Sequence, residues 1–300
     1  MPLLCRTSDV SRGQLARRQG WPGVKAGPPA RLARRKGWPG VKAGRDEVDQ
    51  VNRRAVLVTG ASRGIGAALA QAFAGQGDRV AVHYGNSAGP AADVLAALPG
   101  GGHLMVQADL ADPDAVRGLV DEAAEALGGL DVLVNNAGVY AAQPVTEGTY
   151  EQWQAAWQHT LAVNLTGAAN AIWCAVRHMI AGGGGRIINV SSRGAFRGEP
   201  EHPAYAASKA GLNALGQSLA RALGSQGIAV ATVAPGFVDT DMAAGSLAGP
   251  GGDEIRGQSP FGRVASAAEV AAAVLYLASP QAEWASGAIL DLNGASYLRT

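Results

Sequence analysis

A tyrosine and a lysine stand four residues apart in the segment PAYAASKAGL, as Tyr205 and Lys209. Residues at this spacing share one face of a helix. A free phenol keeps its proton to about pH 10, and a neighbouring ammonium lowers the phenol's pKa because it favours the phenolate. The pair predicts a general acid–base site in which Lys209 lets Tyr205 exchange a proton near neutral pH. Taken alone, this spacing more often marks a half-buried ring beside a solvated amine.

A serine precedes this pair by thirteen residues, at the end of the predicted strand GRIINVSS. The hydroxyl of Ser192 could donate to a substrate carbonyl and stabilise the negative charge that develops there. The alternative is a turn at the strand end, in which Ser191 and Ser192 bond to their own backbone.

A glycine-rich loop, TGASRGIG at Thr59–Gly66, lies between a predicted strand and a predicted helix. Gly60 permits the tight turn, Gly64 lets the backbone approach a pyrophosphate, and Gly66 allows the helix to pack closely on the strand. The helix N-terminus offers free N–H groups and partial positive charge to phosphates. The loop predicts dinucleotide binding, and the alternative is an ordinary glycine-rich turn.

The end of the second predicted strand bears on the choice of cofactor. Chains that bind NAD tend to place an acid there to hold the ribose hydroxyls, whereas this chain has HYGNS at His83–Ser87. The absence of a carboxylate permits a 2′-phosphate, and Arg63 in the glycine loop could pair with it. NADP(H) is therefore expected in preference to NAD(H), although Arg63 could also be a solvated surface side chain.

The elements that must position these residues alternate along the chain from Arg53 onward. Short apolar runs ending in glycine or polar residues alternate with amphipathic segments, including a long helical pattern over Tyr150–Ile180. This alternation predicts an α/β fold: a single Rossmann-type, doubly wound domain with a mostly seven-stranded parallel sheet covered by helices on both faces. Right-handed crossovers place the C-terminal ends of the strands at one edge of the sheet, where ligands bind.

Together these motifs resemble those of the short-chain dehydrogenase/reductase family, over residues 53–300. TGxxxGxG is Thr59–Gly66, NNAG is Asn135–Gly138, and YxxxK is Tyr205 and Lys209. The remaining matches are single residues and one dipeptide: Asp109 in ADL, Asn164 in AVNLTG, Ser192, Pro235–Gly236 and Thr240.

The resemblance implies hydride transfer between a nicotinamide and a carbonyl or secondary alcohol, with Asn164, Ser192, Tyr205 and Lys209 as the catalytic residues. Ser192 would polarise the substrate oxygen, Tyr205 would exchange its proton, Lys209 would lower the Tyr205 pKa, and Asn164 would hold a water that links Lys209 to solvent. The resemblance also implies the cofactor-binding residues Gly60, Ser62, Arg63, Gly64, Ile65, Gly66, Asp109, Leu110, Asn136, Ala137, Gly138, Tyr205, Lys209, Pro235, Gly236, Val238 and Thr240.

The branches it most resembles are 3-oxoacyl-carrier-protein reductases and glucose dehydrogenases. A 3-oxoacyl reductase-like, NADP(H)-dependent enzyme acting on a small carbonyl or alcohol is expected. The alternatives are an NAD-dependent alcohol or sugar dehydrogenase of the same family, and a non-catalytic NADP-binding sensor or regulator. A homotetramer or homodimer is expected from the family.

Four features depart from the family pattern. The helix that carries Asn164 is about four residues longer than expected, close to one turn, and the usual DGG near the C-terminus is Asn293–Ala295. The loop Arg193–Pro203 carries two arginines, two glutamates and a histidine, as a substrate-facing or a solvated loop would. The glycine-rich segment Asp241–Arg263 is expected to act as a substrate lid.

The first 52 residues differ in kind from the rest. They carry eleven basic and four acidic side chains, and LARRQGWPGVKAG at Leu15–Gly27 returns as LARRKGWPGVKAG at Leu32–Gly44. Such a segment has little apolar surface to offset the entropy of ordering. A disordered extension over residues 1–52 is expected, either without function or as a basic arm for a polyanion such as nucleic acid, of which the first is favoured.

Composition excludes several other classes. Cys5 and Cys174 lie far apart and form no metal-ligand or disulfide pattern, so no metal site is expected and a reduced cytoplasm is the simplest setting. No apolar run approaches the roughly 18 residues of a membrane span, and no secretory signal opens the chain.

Overall fold

The structure is a computed structural model that describes residues 53–299. The predicted extension over residues 1–52, its repeat and Cys5 lie outside the described residues.

The described chain alternates strands and helices from its first element. The strands are β1 (Ala55–Val58), β2 (Arg79–Tyr84), β3 (Leu104–Gln107), β4 (Val132–Asn135), β5 (Gly185–Val190), β6 (Ile228–Pro235), β7 (Val238–Asp239), β8 (Ala265–Ser266) and β9 (Ile289–Leu292). The α-helices are α1 (Gly64–Gly75), α2 (Ala88–Ala97), α3 (Pro113–Leu127), α4 (Tyr150–Leu161), α5 (Ala168–Gly182), α6 (Gly194–Arg197), α7 (Pro203–Leu223), α8 (Asp241–Ala248), α9 (Gly252–Gly257) and α10 (Ala267–Leu277). Short 3₁₀-helices cover Gly224–Gln226 and Pro280–Ala285, and a π-helix covers Ala162–Gly167.

Seven strands form one parallel sheet in the order β3-β2-β1-β4-β5-β6-β9. The order reverses direction beside β1, since the chain runs outward to β3 and then returns to β4 on the other side. Ligands of open α/β sheets bind at such a switch point, beyond the carboxyl ends of the strands. The predicted α/β, doubly wound fold is confirmed.

Local sequence signals set several helix boundaries. In α3 the N-cap side chain of Asp112 accepts from the backbone N–H groups of Asp114 and Ala115, Pro113 occupies the first turn, and Gly128 ends the helix at φ 69°. Pro lacks an N–H that the first turn would leave unpaired, and Gly adopts positive φ without strain. These residues explain where the helix begins and ends.

Apolar side chains fill both faces of the sheet. One buried cluster packs α1, α2 and α10 against the sheet, with Leu69, Phe73 and Val274 among its members. The other packs α3 and α5 against the opposite face, with Leu119, Leu133 and Ile172. The strands are buried on both faces, which explains their near-continuous apolar sequences.

Two regions differ from the sequence-based expectation. The long helix predicted over Tyr150–Ile180 is interrupted by the π-helix Ala162–Gly167, and the glycine-rich segment Asp241–Arg263 contains α8 and α9. A two-stranded parallel pairing of β7 with β8 was also not predicted.

None of the helices within residues 53–299 is long and apolar enough to cross a membrane.

Candidate active site

A cleft of about 690 Å³ opens at the carboxyl edge of the sheet. All the residues predicted to bind the cofactor line it, as do Ser192, Tyr205 and Lys209. These residues come from loops that follow five different strands, so tertiary folding brings together what the sequence spreads over about 180 positions. Asn164 lies behind the wall of the cleft and is almost fully buried.

The glycine loop has the shape that a dinucleotide needs. Gly60 and Gly64 adopt positive φ angles of 63° and 54°, which only glycine adopts without strain. A Cβ at Gly66 would overlap the carbonyl oxygen of Gly60 and lie 2.7 Å from Asn136 Nδ2. The loop therefore needs its glycines, and it presents the N-terminus of α1, with its unpaired N–H groups, to the cleft. These features fit the pyrophosphate of a nicotinamide dinucleotide.

The end of β2 carries a histidine in place of an acid. The buried His83 accepts from the Gly60 N–H through Nδ1 at 2.9 Å and lies 3.1 Å from the Ala108 carbonyl through Nε2. Nε2 therefore carries the proton, and burial lowers the pKa of His83 below its ordinary value. Nearby, Arg63 donates to Ser87 Oγ at 2.8 Å. This corner of the cleft thus presents the guanidinium of Arg63 and the hydroxyl of Ser87 as possible hydrogen-bond donors to a ligand.

Tyr205, Ser192 and Lys209 converge at the centre of the cleft. Tyr205 and Lys209 lie on the first two turns of α7, and Lys209 Nζ is 5.7 Å from the centroid of the Tyr205 ring. Tyr205 and Ser192 both line the cleft, and the Ser192 hydroxyl acts to lower the pKa of Tyr205. Ser192 Oγ accepts from the Gly194 N–H at 3.0 Å. The strand-end turn given as the alternative for this serine is therefore present. Ser192 and Tyr205 nevertheless line the same cleft, where a substrate oxygen bound between them could meet both.

The pKa of Tyr205 departs from the sequence-based prediction. Burial raises it to about 12, with Tyr140 and Glu199 raising it further and Ser192 opposing. Burial also lowers the pKa of Lys209 to about 8. The prediction that Lys209 brings Tyr205 to a near-neutral pKa is wrong for the protein alone, because burial removes water from around the phenol and raises its pKa. At neutral pH Tyr205 holds its proton and is ready to donate it.

Asn164 positions a neighbouring loop. Its Nδ2 donates to the Val139 carbonyl at 3.0 Å and to Ser208 Oγ at 3.1 Å, and its Oδ1 accepts from the Val139 N–H at 2.8 Å. Both amide N–H groups are thus engaged in protein contacts. Lys209 Nζ donates to the Val190 carbonyl at 2.8 Å. A Cβ at Gly138 would lie 3.3 Å from Asn164 Oδ1 and 3.5 Å from Lys209 Nζ, so glycine here lets the two groups approach.

Sequence reasoning missed an aromatic wall beside Tyr205. Tyr140 stacks on His202 with 3.7 Å between ring centroids and meets the Tyr205 ring edge-on at 4.7 Å. Tyr140 lies two positions after the predicted motif Asn135–Gly138, in the loop that follows β4. Its place beyond the carboxyl end of a strand is the sequence signal that could have identified it. Arg193 and Phe237 also line the cleft.

Comparisons with known proteins agree with this geometry. Residues 60–294 match the family model described as enoyl-(acyl carrier protein) reductase. Cis-4-hydroxycyclohexanecarboxylate dehydrogenase of Sinomonas cyclohexanicum is 42% identical over 243 residues, which cover 80% of this chain and 95% of that protein. A 3-oxoacyl-[acyl-carrier-protein] reductase of Staphylococcus aureus is 36% identical over 247 residues, covering 82% and 98%.

A solved structure is equally similar. A short-chain dehydrogenase from Burkholderia cenocepacia J2315, in complex with NADP, superposes with a TM-score of 0.74 at 40% identity, over 81% of this chain and 97% of that one. Fold and cleft define a dinucleotide-binding α/β oxidoreductase. The chain belongs to the short-chain dehydrogenase/reductase family, whose members named here act as dehydrogenases and reductases.

Proposed function

We propose that this protein is an NADP(H)-dependent oxidoreductase that interconverts a ketone and a secondary alcohol, with Ser192, Tyr205, Lys209 and Asn164 as its functional side chains. The observation that carries the proposal is that Ser192 and Tyr205 line the same cleft as the glycine loop. A substrate oxygen bound between the two side chains would meet a hydroxyl donor and a proton donor together.

The side chains of this protein transfer the proton and stabilise the charge on the substrate oxygen. A bound nicotinamide cofactor supplies or accepts the hydride. Ser192 Oγ donates to the substrate oxygen and stabilises its negative charge. Tyr205 Oη delivers its proton to that oxygen during reduction, and the protonated Lys209 stabilises the phenolate that remains. Asn164 holds the loop that carries Tyr140 against Tyr205.

The pH dependence of reduction follows from the two shifted pKa values. Lys209, with a pKa near 8, loses its charge as the pH rises through that value, whereas Tyr205 keeps its proton to about pH 12. We expect kcat/KM for reduction to be level below pH 8 and to fall above it, by up to about tenfold per pH unit. Steady-state rates between pH 6 and 10 test this. A decline that persists unchanged in Lys209→Met would assign the ionisation to another group.

The preference for NADP(H) rests on the corner formed by Arg63, Ser87 and His83. Arg63 offers a planar set of donors suited to a 2′-phosphate, and no carboxylate follows β2 within His83–Ser87 to repel it. The relative solved with NADP supports the same choice.

Ser87→Asp is expected to reverse this preference. A carboxylate beside Arg63 would neutralise the guanidinium and repel the 2′-phosphate, while offering an acceptor to the ribose hydroxyls of NADH. We expect kcat/KM for NADPH to fall by about tenfold or more, with that for NADH unchanged or higher. The control is Ser87→Asn, which is similar in size to the aspartate but uncharged and should retain NADPH. Equal losses with both cofactors in Ser87→Asp would contradict this account of the corner.

The substrate is a ketone or alcohol that fits beside Tyr140 and Phe237. The relatives named above act, by their names, on a hydroxylated ring and on a 3-oxoacyl thioester, and both are substrate classes for this site. The first experiment follows reduced-nicotinamide absorbance with NADPH and NADH over cyclic ketones, 3-oxoacyl thioesters and sugars. Turnover with NADPH supports the proposal. Tight cofactor binding without any turnover would favour the sensor instead, and no binding of either cofactor would refute the proposal.

Three further expectations belong to the same proposal. A homotetramer or homodimer fits the exposed aromatic residues Trp173, Tyr276 and Trp284, which would be covered in an assembly. Helix α8 borders the cleft, as a substrate lid would. A cytoplasmic setting is consistent with Cys174 as a free thiol. Sedimentation and limited proteolysis with and without NADPH test the first two.

A further inference from the structure

Arg193, the residue after Ser192, is a buried cation. Its side chain lies in the wall of the cleft, and only 3% of the residue is exposed. Burying a charge is costly unless an opposite charge or a full set of hydrogen bonds compensates it. Burial accordingly lowers the pKa of Arg193 below its ordinary value, although the guanidinium remains charged.

No acidic side chain of the described residues forms an ion pair with Arg193. Its Nη1 donates to Ser296 Oγ and its Nη2 to Gln258 Oε1 at 2.6 Å, and both acceptors are neutral. The guanidinium also faces the Phe237 ring at 5.2 Å. Glu199, in the same loop, is paired with Arg197 and acts on Arg193 through its charge without forming an ion pair with it. Three of the five N–H donors of Arg193 are left for another acceptor.

Arg193 stands where the cleft meets a second cavity. This cavity, of about 300 Å³, shares only Arg193 and Phe237 with the main cleft. A molecule whose carbonyl lies at Ser192 and Tyr205 could therefore extend toward the guanidinium. The charge of Arg193 also acts on Tyr140, whose ring touches that of Tyr205.

We propose that Arg193 binds a carboxylate of the substrate, so that the protein acts on compact oxo acids and hydroxy acids in preference to neutral ketones and alcohols. The inference rests on the proposed function and specifies its substrate class. A carboxylate would supply the missing counter-charge, and the planar guanidinium fork suits its two oxygens.

The test compares two ketones that differ in charge but hardly in shape, 4-oxocyclohexanecarboxylate and 4-oxocyclohexanecarboxamide, with the full chain and NADPH. We expect kcat/KM for the carboxylate to exceed that for the carboxamide by roughly 10- to 100-fold. A ratio near one, with both ketones reduced, would overturn the proposal while the proposed function stands. If neither ketone is reduced, calorimetric titration of the NADP⁺-loaded protein with each compound decides, and equal or absent binding of the carboxylate overturns the proposal.

Three variants separate recognition from a structural role. Arg193→Gln should bring the carboxylate-to-carboxamide ratio close to one, and Arg193→Lys, which keeps the charge but loses the fork, should give an intermediate ratio. Arg197→Gln, on the same loop but paired with Glu199 and more exposed, should keep the ratio of the original protein. Equal losses with both ketones in Arg193→Gln, in a variant whose thermal unfolding is unchanged, would mean that Arg193 only braces Ser296 and Gln258, and would overturn the proposal.

Discussion

Replacing Tyr205 with phenylalanine is expected to lower kcat for carbonyl reduction by roughly 10²- to 10⁴-fold, the usual range for a general acid. The aromatic ring remains, so its edge-on contact with Tyr140 and its position 5.7 Å from Lys209 Nζ are retained. Only the phenol oxygen of Tyr205 is lost. The site would keep its shape and the Ser192 hydroxyl but would have no proton to deliver.

The measurement pairs turnover with cofactor binding. Reduced-nicotinamide absorbance gives kcat, and fluorescence titration gives the dissociation constant for NADPH, which should change by no more than about twofold because the cleft is otherwise intact. Tyr276→Phe is the matched control, since it removes the same hydroxyl from an exposed position on α10. If Tyr205→Phe retained more than about a tenth of the activity, the proton would come from elsewhere, and the assignment of Tyr205 would be wrong.

Gly66→Ala is expected to abolish tight cofactor binding and to destabilise the fold by about 2–4 kcal/mol, as overpacking of a close backbone contact does. The added Cβ would overlap the Gly60 carbonyl oxygen and crowd Asn136 Nδ2 and the Ala61 Cα. Two of these neighbours are backbone atoms of the loop, so they cannot yield as a flexible side chain could. The helix must move outward, and its N-terminus would then leave the position from which it faces the cleft.

Gly75→Ala, on the same helix, is expected to have the opposite effect on stability. No atom lies within 4 Å of a Cβ placed at Gly75, which is exposed at the last turn of α1. Alanine should raise stability by up to about 0.5–1 kcal/mol, since glycine is the poorer helix former. Thermal unfolding and NADPH titration of both variants check the pair. Equal effects of the two substitutions would show that close packing at Gly66 is not what the loop requires.

Much of this protein is readable from short-range sequence signals. The spacing of Gly60, Gly64 and Gly66 specifies a turn and a close approach, and the caps Asp112 and Gly128 bound a helix, because each acts within a few residues of itself. Apolar runs separated by amphipathic helices imply a parallel sheet, and a parallel sheet places strand ends at one edge. For these reasons the fold class and the glycine loop could be predicted before any coordinates, whereas most of the other cleft residues were predicted only from the family resemblance.

Three properties depend instead on contacts between distant parts of the chain. The partners of Arg193 lie 65 and 103 residues away, so its burial without a carboxylate cannot be read from its neighbours in sequence. Asn164 lies in a π-helix that the apolar periodicity of the sequence did not predict, and it is hydrogen-bonded to Val139 and Ser208. The direction of the Tyr205 pKa shift was predicted wrongly for the protein alone, because the spacing reveals the neighbouring Lys209 but not the burial of the phenol, which raises its pKa. Burial is a property of the assembled fold. In this protein it keeps the phenol of Tyr205 protonated, and it places the charge of Arg193 in the wall of the cleft.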